Sequence, residues 1–232
     1  MSTEEKQNFQ TSQDSESTIF PTNEKELADI IKRFYKLNTP LEIIGSGSKR
    51  YIGKPIQVAK TLNMTKIDGI VEYLPEELYI KVKACTPIQQ IEKELKKNKQ
   101  QLAFEPIDFG YLFSGKSNYG TAAGQVACNL SGPRRFKVGS VRDHVLGFRG
   151  VNGRGEIIKS GGTVVKNVTG YDLSKLICGS YGTLAVLTEI TFKVLPMPEE
   201  NKTLVVHNLK LETAVDLLNQ AISSSNDVSG AV

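Results

Sequence analysis

The sequence predicts an α+β fold. Three observations carry that prediction: apolar–polar alternation in runs spaced as hairpins, amphipathic helical stretches between them, and glycine-rich turns set directly against the strands. In IFPTNEKELADIIKRFYKLN, Asn23 with Glu26 three residues on resembles a capping box, and Leu27, Ile30, Ile31, Phe34 and Tyr35 then share one helical face. TPLEIIGSGS gives a short strand over Leu41 to Ile44 that runs into a small-residue turn. IQVAK, GIVEYL and LYIKVKA read as three further strands, the last two joined as a hairpin through Pro75-Glu76-Glu77. TPIQQIEKELKKNKQ is an amphipathic helix with Thr86 as cap, Pro87 at the first position, and Ile88, Ile91 and Leu95 facing inward.

A glycine-rich block occupies residues 110–140. VLGFRGVNGRGEIIKSGG then alternates around Asn152-Gly153, a hairpin signal. YDLSKLICGS is a short helix ended by Gly179, and GTLAVLTEITFKVLP is a long strand closed by Pro196 and Pro198. KTLVVHNLKLETAVDLLNQAISS is one strand and one helix, a pair that cannot bury both its faces alone. The expected division is a disordered tail over 1–17, one domain over 18–199, and the opening of an incomplete second domain over 200–232.

With 39% hydrophobic residues the chain can bury a core, so it reads as globular. A net charge of +4 permits an anionic ligand or a membrane surface, but without basic–aromatic interleaving it does not argue for nucleic acid. Cys85, Cys128 and Cys178 are far apart, which suits a reducing compartment and excludes an iron–sulfur or zinc site built from this chain alone. No apolar run approaches the length of a membrane span, and MSTEEKQNFQTSQDSEST matches neither a secretory signal nor a transit peptide, so a cytoplasmic location is expected.

GYLFSGKS, Gly110 to Ser117, spells the phosphate loop of nucleoside triphosphatases. Its surroundings argue against that use. Tyr111, Leu112 and Phe113 stand where such a loop takes small or polar residues, and FEPIDF carries a proline and an acid where a buried strand belongs. Gly120 and Gly124 interrupt the helix that would begin at Lys116, and no apolar strand ending in aspartate follows to hold magnesium.

Other loops point to a longer ligand. GSGSKR, Gly45 to Arg50, holds Arg50 where the dinucleotide fingerprint needs its third glycine; it is either an ordinary tight turn or a nest for a pyrophosphate. In GTAAGQVACNLSGPRR, Ala122 to Leu130 can form a short helix with a small packing face; the amides of Gly120 and Thr121 favour an anion, and Asn129, Ser131 and Gly132 leave in a polar turn. GSVRDHVLG sets Ser140, Arg142 and Asp143 before a strand, and SGGTVVKNVTGYDLSKL adds a further glycine turn. A triphosphate needs one such loop; several suggest a dinucleotide held largely by backbone.

In order and spacing these segments, with GSYGTLAVLTEITFKVLP, resemble the FAD-binding domain of the vanillyl-alcohol-oxidase, or PCMH, type. NLSGPRR, RDHVLG and VVKNVTGYDLSKL resemble in particular the FAD-binding subunits of glycolate oxidase. The likeness covers about residues 18–200. It implies a PCMH-type fold, two α+β subdomains with FAD between them, and a cap domain that starts within 200–232. It also implies that Gly45, Ser46, Gly47, Ser48 and Lys49 surround the FAD pyrophosphate and that Pro106 and Asp108 lie near the flavin ring. Gly120, Thr121, Gly124, Asn129 and Gly132 would line the ribityl and phosphate path, with Gly139, Ser140 and Asp143 continuing it. The backbone of Glu189 and Ile190 would meet the adenine. For Asn129 and Asp143 a capping or turn role is the alternative.

The implied function is oxidation of glycolate or a related 2-hydroxy acid to the 2-oxo acid. The implied partners are a second flavin subunit and an iron–sulfur subunit, with attachment to the inner face of a membrane through the complex. A flavin-free scaffolding subunit is the other possibility for such a chain. A base and a carboxylate-binding cation are also required, but no catalytic residue is assigned. His144, at the start of a strand, reads as a structural residue beside the cofactor, and His207 as a strand residue. GSGSKR holds neither His nor Cys, so noncovalent FAD is expected, and Cys128 reads as a small packing residue.

Overall fold

The first helix, α1 (Glu24–Lys36), begins where the sequence caps it. Asn23 Oδ1 accepts from the Glu26 amide at 2.9 Å, and the Glu26 carboxylate accepts from the Thr22 amide at 2.8 Å, which closes the helix start from both sides. Leu27, Ala28 and Ile31 are the buried stripe. Tyr35, expected on that face, is 55% exposed because the stripe ends one turn earlier. The computed structural model describes residues 18–50, 52, 54, 56–115, 117, 120–162 and 171–231. The tail 1–17 lies outside the described residues.

Two main sheets make up the α+β architecture. In chain order the strands are β1 (Thr18–Ile19), β2 (Leu41–Ile44), β3 (Lys60–Asn63), β4 (Ile70–Leu74), β5 (Tyr79–Lys83), β6 (Gln100–Gln101), β7 (Val145–Asn152), β8 (Ile157–Gly161), β9 (Ala185–Lys193) and β10 (Leu195–Pro196). The first sheet is parallel in the order β1-β3-β2, and the second is antiparallel in the order β4-β5-β9-β7-β8. β6 and β10 pair separately. Parallel neighbours need a crossover, and the crossover from β2 to β3 contains the GSGSKR loop.

Helices α2 (Ile88–Lys96), α3 (Gly110–Ser114), α4 (Ala122–Cys128), α5 (Arg135–Val138), α6 (Val141–His144), α7 (Leu173–Ile177) and α8 (Leu211–Ser223) complete the chain. Ile88, Ile91 and Leu95 of α2 join Ile80, Val82, Phe104, Val126, Ile190 and Phe192 in the larger core. α1 closes a second core with Leu62, Met64, Cys85, Val151 and Val186. β9 contributes to both, which explains its nearly unbroken burial.

Several expected details differ. The strand expected in IQVAK starts later, at Lys60, because the pairing with β2 puts Leu62 in the core; Ile56 is 63% exposed. Thr86 does not cap α2: its hydroxyl donates to Lys83 O at 2.8 Å and accepts from the Gly69 amide at 3.0 Å, so it ties two strand ends together. The β7–β8 turn closes one residue later than Asn152-Gly153 suggested. The Asn152 side chain accepts from the Arg154 and Glu156 amides, which moves the left-handed position to Gly155 (φ +79). TLVVH forms no strand, since Leu204 and Val205 are 88% and 62% exposed with no strand to pair with among the described residues, and His207 is therefore not a strand residue. No helix among the described residues is long and apolar enough to cross a membrane.

Candidate functional site

A cleft opens where β2 of the first sheet meets β9 of the second. Ile43, Ile44 and Gly45 at the C-terminal end of β2 form one wall, with Met64 and Cys85 beside them. Thr121, Ala123, Gly124 and Ala127 of α4 form another, and the turn Ser180–Gly182 with Ala185, Val186 and Leu187 of β9 forms the third. The backbones approach closely. A Cβ on Gly45 would stand 2.9 Å from Thr121 Oγ1 and 3.3 Å from Cys85 Sγ, so glycine is what lets the β2 loop reach the start of α4. A Cβ on Gly124 would meet Thr121 Oγ1 at 3.1 Å and Lys49 Nζ at 3.5 Å.

Lys49 brings a cation to this region. Its ammonium has Ser48 Oγ at 3.3 Å and no ion pair among the described residues. Burial pushes its pKa down, with the Cys128 and Asp108 side chains opposing that shift. A partly desolvated ammonium beside a glycine-rich turn is a receptor for an anion. Gly47 (φ +80) gives that turn its left-handed position, and its carbonyl accepts from the Arg50 amide at 3.2 Å. Ser48 is buried and Ser46 completes the turn. Cys85 lies in the cleft as a packing residue, its thiol pushed up to about 12 by burial. These features fit a dinucleotide: a cation and glycine turn for phosphates, and apolar walls from Ile43, Met64 and Val186 for a base.

The other expected residues divide. Pro106 and Asp108 lie on the segment that leads to α3, and Asp108 Oδ1 accepts from the Gly110 amide at 2.9 Å. Gly120 is buried, and its carbonyl accepts from Ile88 N at 3.0 Å. Thr121 is the N-cap of α4, its hydroxyl accepting from the Gly124 amide at 3.3 Å, so its own side chain occupies the helix start that was expected to face an anion.

Further along, local structure accounts for the polar groups. Asn129 (φ +50) ends α4 and accepts from the Arg142 amide at 3.1 Å. Gly132 leaves room for Glu105, whose Cβ would be 2.5 Å from a Cβ there. Gly139 (φ +86) leads into α6, where the Ser140 amide and hydroxyl donate to Asp143 Oδ2 at 2.8 and 2.9 Å. The capping alternative for Asn129 and Asp143 is thus present in the structure.

Glu189 and Ile190 lie mid-strand in β9, paired with β5 and β7 on either side, and outside the cleft lining. β9 meets the cleft through Ala185–Leu187 instead. The turn Ser180–Gly182 was missed as a site; its signal is two left-handed glycines, Gly179 and Gly182, immediately before a strand. The run 163–170, from TVVKNVTG, lies outside the described residues.

His144 is 2% exposed, donates from Nε2 to Val138 O at 2.9 Å, and packs against Phe104 at 5.5 Å between ring centroids. Burial lowers its pKa, so it is a neutral core residue. Cys128 lies close enough to Lys49 to feel its charge, and burial raises its thiol pKa. Among the described residues no group of three or more His, Cys, Asp or Glu could hold a metal ion. In GYLFSGKS, residues Gly110–Ser114 are helical and Gly115 (φ +65) ends the turn, the reverse of a loop wrapped around phosphates before a helix; Lys116 lies outside the described residues.

Residues 16–161, more than half of the chain, match the family described as FAD binding domain. The chain belongs to that family. FAD is the cofactor of this FAD-binding domain. The chain is 48% identical over 166 residues to glycolate oxidase subunit GlcE of Escherichia coli, a match covering 72% of this chain and 45% of that one. It is 30% identical over 207 residues to a D-lactate dehydrogenase of Anaerostipes hadrus, covering 88% of this chain and 42% of the relative. It therefore spans less than half the length of these relatives. The solved structure of alkyldihydroxyacetonephosphate synthase superposes with a TM-score of 0.64 at 22% identity, covering 79% of this chain and 32% of that one. The fold is the PCMH-type FAD-binding fold that the sequence led one to expect.

Proposed function

We propose that this chain is the FAD-binding part of an oxidoreductase acting on glycolate or a related 2-hydroxy acid, as one subunit of a glycolate-oxidase-type complex. The observation that carries the proposal is the cleft at Gly45, Thr121, Gly124 and Lys49, in a chain 48% identical to a glycolate oxidase subunit. The similarity to a D-lactate dehydrogenase supports the same class of substrate. When bound, FAD accepts the two electrons released as the hydroxyl-bearing carbon becomes a ketone or aldehyde.

The chain's own residues do the holding. Gly45 to Ser48 offer backbone amides and hydroxyls, and Lys49 offers a charge, to the pyrophosphate. Gly124 keeps the path beside Lys49 open. Pro106 and Asp108 lie toward the flavin ring, while Gly120, Asn129, Gly132, Gly139, Ser140 and Asp143 shape the turns around it, with Glu189 and Ile190 behind the β9 residues at the adenine end. FAD is held noncovalently: Cys85, the cysteine in the cleft, has its thiol pushed up to about 12 and offers no thiolate for attachment. A second flavin subunit and an iron–sulfur subunit take the electrons onward, and association with the inner face of a membrane comes through them. The domain spans 18–199, and 200–232 opens the next one.

Anaerobic mixing of the FAD-loaded chain with glycolate or D-lactate, alone and with its partner subunits, tests this. Loss of the oxidised flavin absorbance is expected in the complex. A flavin that stays oxidised with every 2-hydroxy acid, in both settings, contradicts it.

A further inference from the structure

We propose that Arg134 receives the carboxylate of the 2-hydroxy acid at the flavin end of the cofactor site, if the chain serves the oxidation proposed above. Arg134 Nε is buried without an acceptor, and the guanidinium makes no ion pair among the described residues. Proteins keep few buried donors unmatched, so an acceptor belongs there.

The backbone is built to hold this arginine in place. The Gly132 amide donates to Phe104 O and Glu105 O at 3.0 Å each, and the Arg134 amide donates to the Glu105 carboxylate at 2.9 Å. Glu105 itself sits at φ +52, a conformation that residues with a side chain seldom adopt. From Glu105 the chain runs to Asp108, whose charge reaches Lys49. Three residues span at most about 10 Å. A cofactor with its phosphates at Lys49 would have this segment to extend along toward Arg134.

Gln125 marks the same segment independently. Its Nε2 donates to Ile107 O at 2.7 Å, while its Oε1 is buried without a partner in a side chain only 1% exposed. An unmatched donor and an unmatched acceptor thus flank residues 105–108. The arginine also already attracts a carboxylate: Asp227 is bonded to Lys137 at 2.8 Å and held below the usual carboxylate range, by Lys137 first and by the Arg134 charge in addition. That side chain is 91% exposed, so the contact is weak and readily exchanged. A small carboxylate offers the planar guanidinium two oxygens at once, the geometry it binds best.

The test titrates the FAD-loaded chain with oxalate and with its neutral analogue oxamide, following the perturbation of the flavin spectrum. The wild type is expected to bind oxalate far more tightly than oxamide. Arg134→Met is expected to weaken oxalate about tenfold or more with FAD content unchanged, and Arg134→Lys to fall between. A wild type that does not discriminate, or an Arg134→Met variant that binds oxalate like the wild type, overturns the assignment. If Arg134→Met loses FAD, the wild-type comparison and Arg134→Lys decide. A wild-type chain that takes up no FAD contradicts the proposed function itself, whereas an FAD-loaded chain blind to charge contradicts only the role of Arg134.

Discussion

Lys49 and His144 are both withdrawn from water, and burial lowers the pKa of each, yet they serve opposite purposes. For Lys49 the lost hydration is restored by an anion, so Lys49→Met should weaken FAD binding about tenfold to a hundredfold, the loss expected for one charge-assisted hydrogen bond. Flavin-fluorescence titration measures it, and an unchanged affinity argues against a phosphate role. For His144 the folded state holds fewer protons than the unfolded chain below the ordinary value of 6.5. Its contribution is complete above that pH and is lost as pH falls below it. Denaturant unfolding between pH 7 and 5 should show stability declining, with a shallower decline in His144→Gln, which keeps a donor for Val138 O; equal slopes would contradict this. At this scale the turn itself was legible in GSGSKR, because alternating glycine and serine after a strand favour one, whereas a role for Lys49 came only through the family resemblance. It did not separate binding from capping at Asn129 and Asp143, since a short polar side chain in a glycine-rich turn looks alike in both roles.

Elements were legible where periodicity and pairing agreed. α1 and α2 follow from their apolar stripes, and β4, β5, β7 and β9 from alternation bounded by turns. IQVAK and TLVVH also carry β-branched residues, yet TLVVH and most of IQVAK sit exposed, and only Lys60 of the two runs joins a strand, since β-branched residues favour a strand only where a pleated surface waits to cover them. α6 illustrates how short elements are held. Its start depends on the Ser140–Asp143 box and on Ser131 Oγ, which accepts from the Val141 amide at 2.9 Å. Ser140→Ala should cost about 1 kcal/mol, the usual price of a lost N-cap side chain. A thermal unfolding midpoint equal to the wild type would show that the box contributes nothing.

At the scale of the whole molecule, β9 contributes side chains to both hydrophobic cores, and the cleft is a consequence of where β2, α4 and the Ser180–Gly182 turn converge. No residue of 199–231 is buried, and the segment's ion pair to the body, Lys137 with Asp227, is exposed. A chain ending at Pro198 should therefore unfold within about 1 kcal/mol of the full chain and bind FAD with the same affinity; a fall in either would assign the segment a structural part.

Direct titration of the purified, cofactor-stripped chain with FAD, followed by acid release, probes the cleft most directly. Stoichiometric uptake with a flavin spectrum, and full release of free FAD on acidification, is the predicted result. A folded chain that shows no affinity for FAD, or that keeps its flavin after acid, would contradict a cleft that grips the cofactor through Lys49 and backbone amides alone.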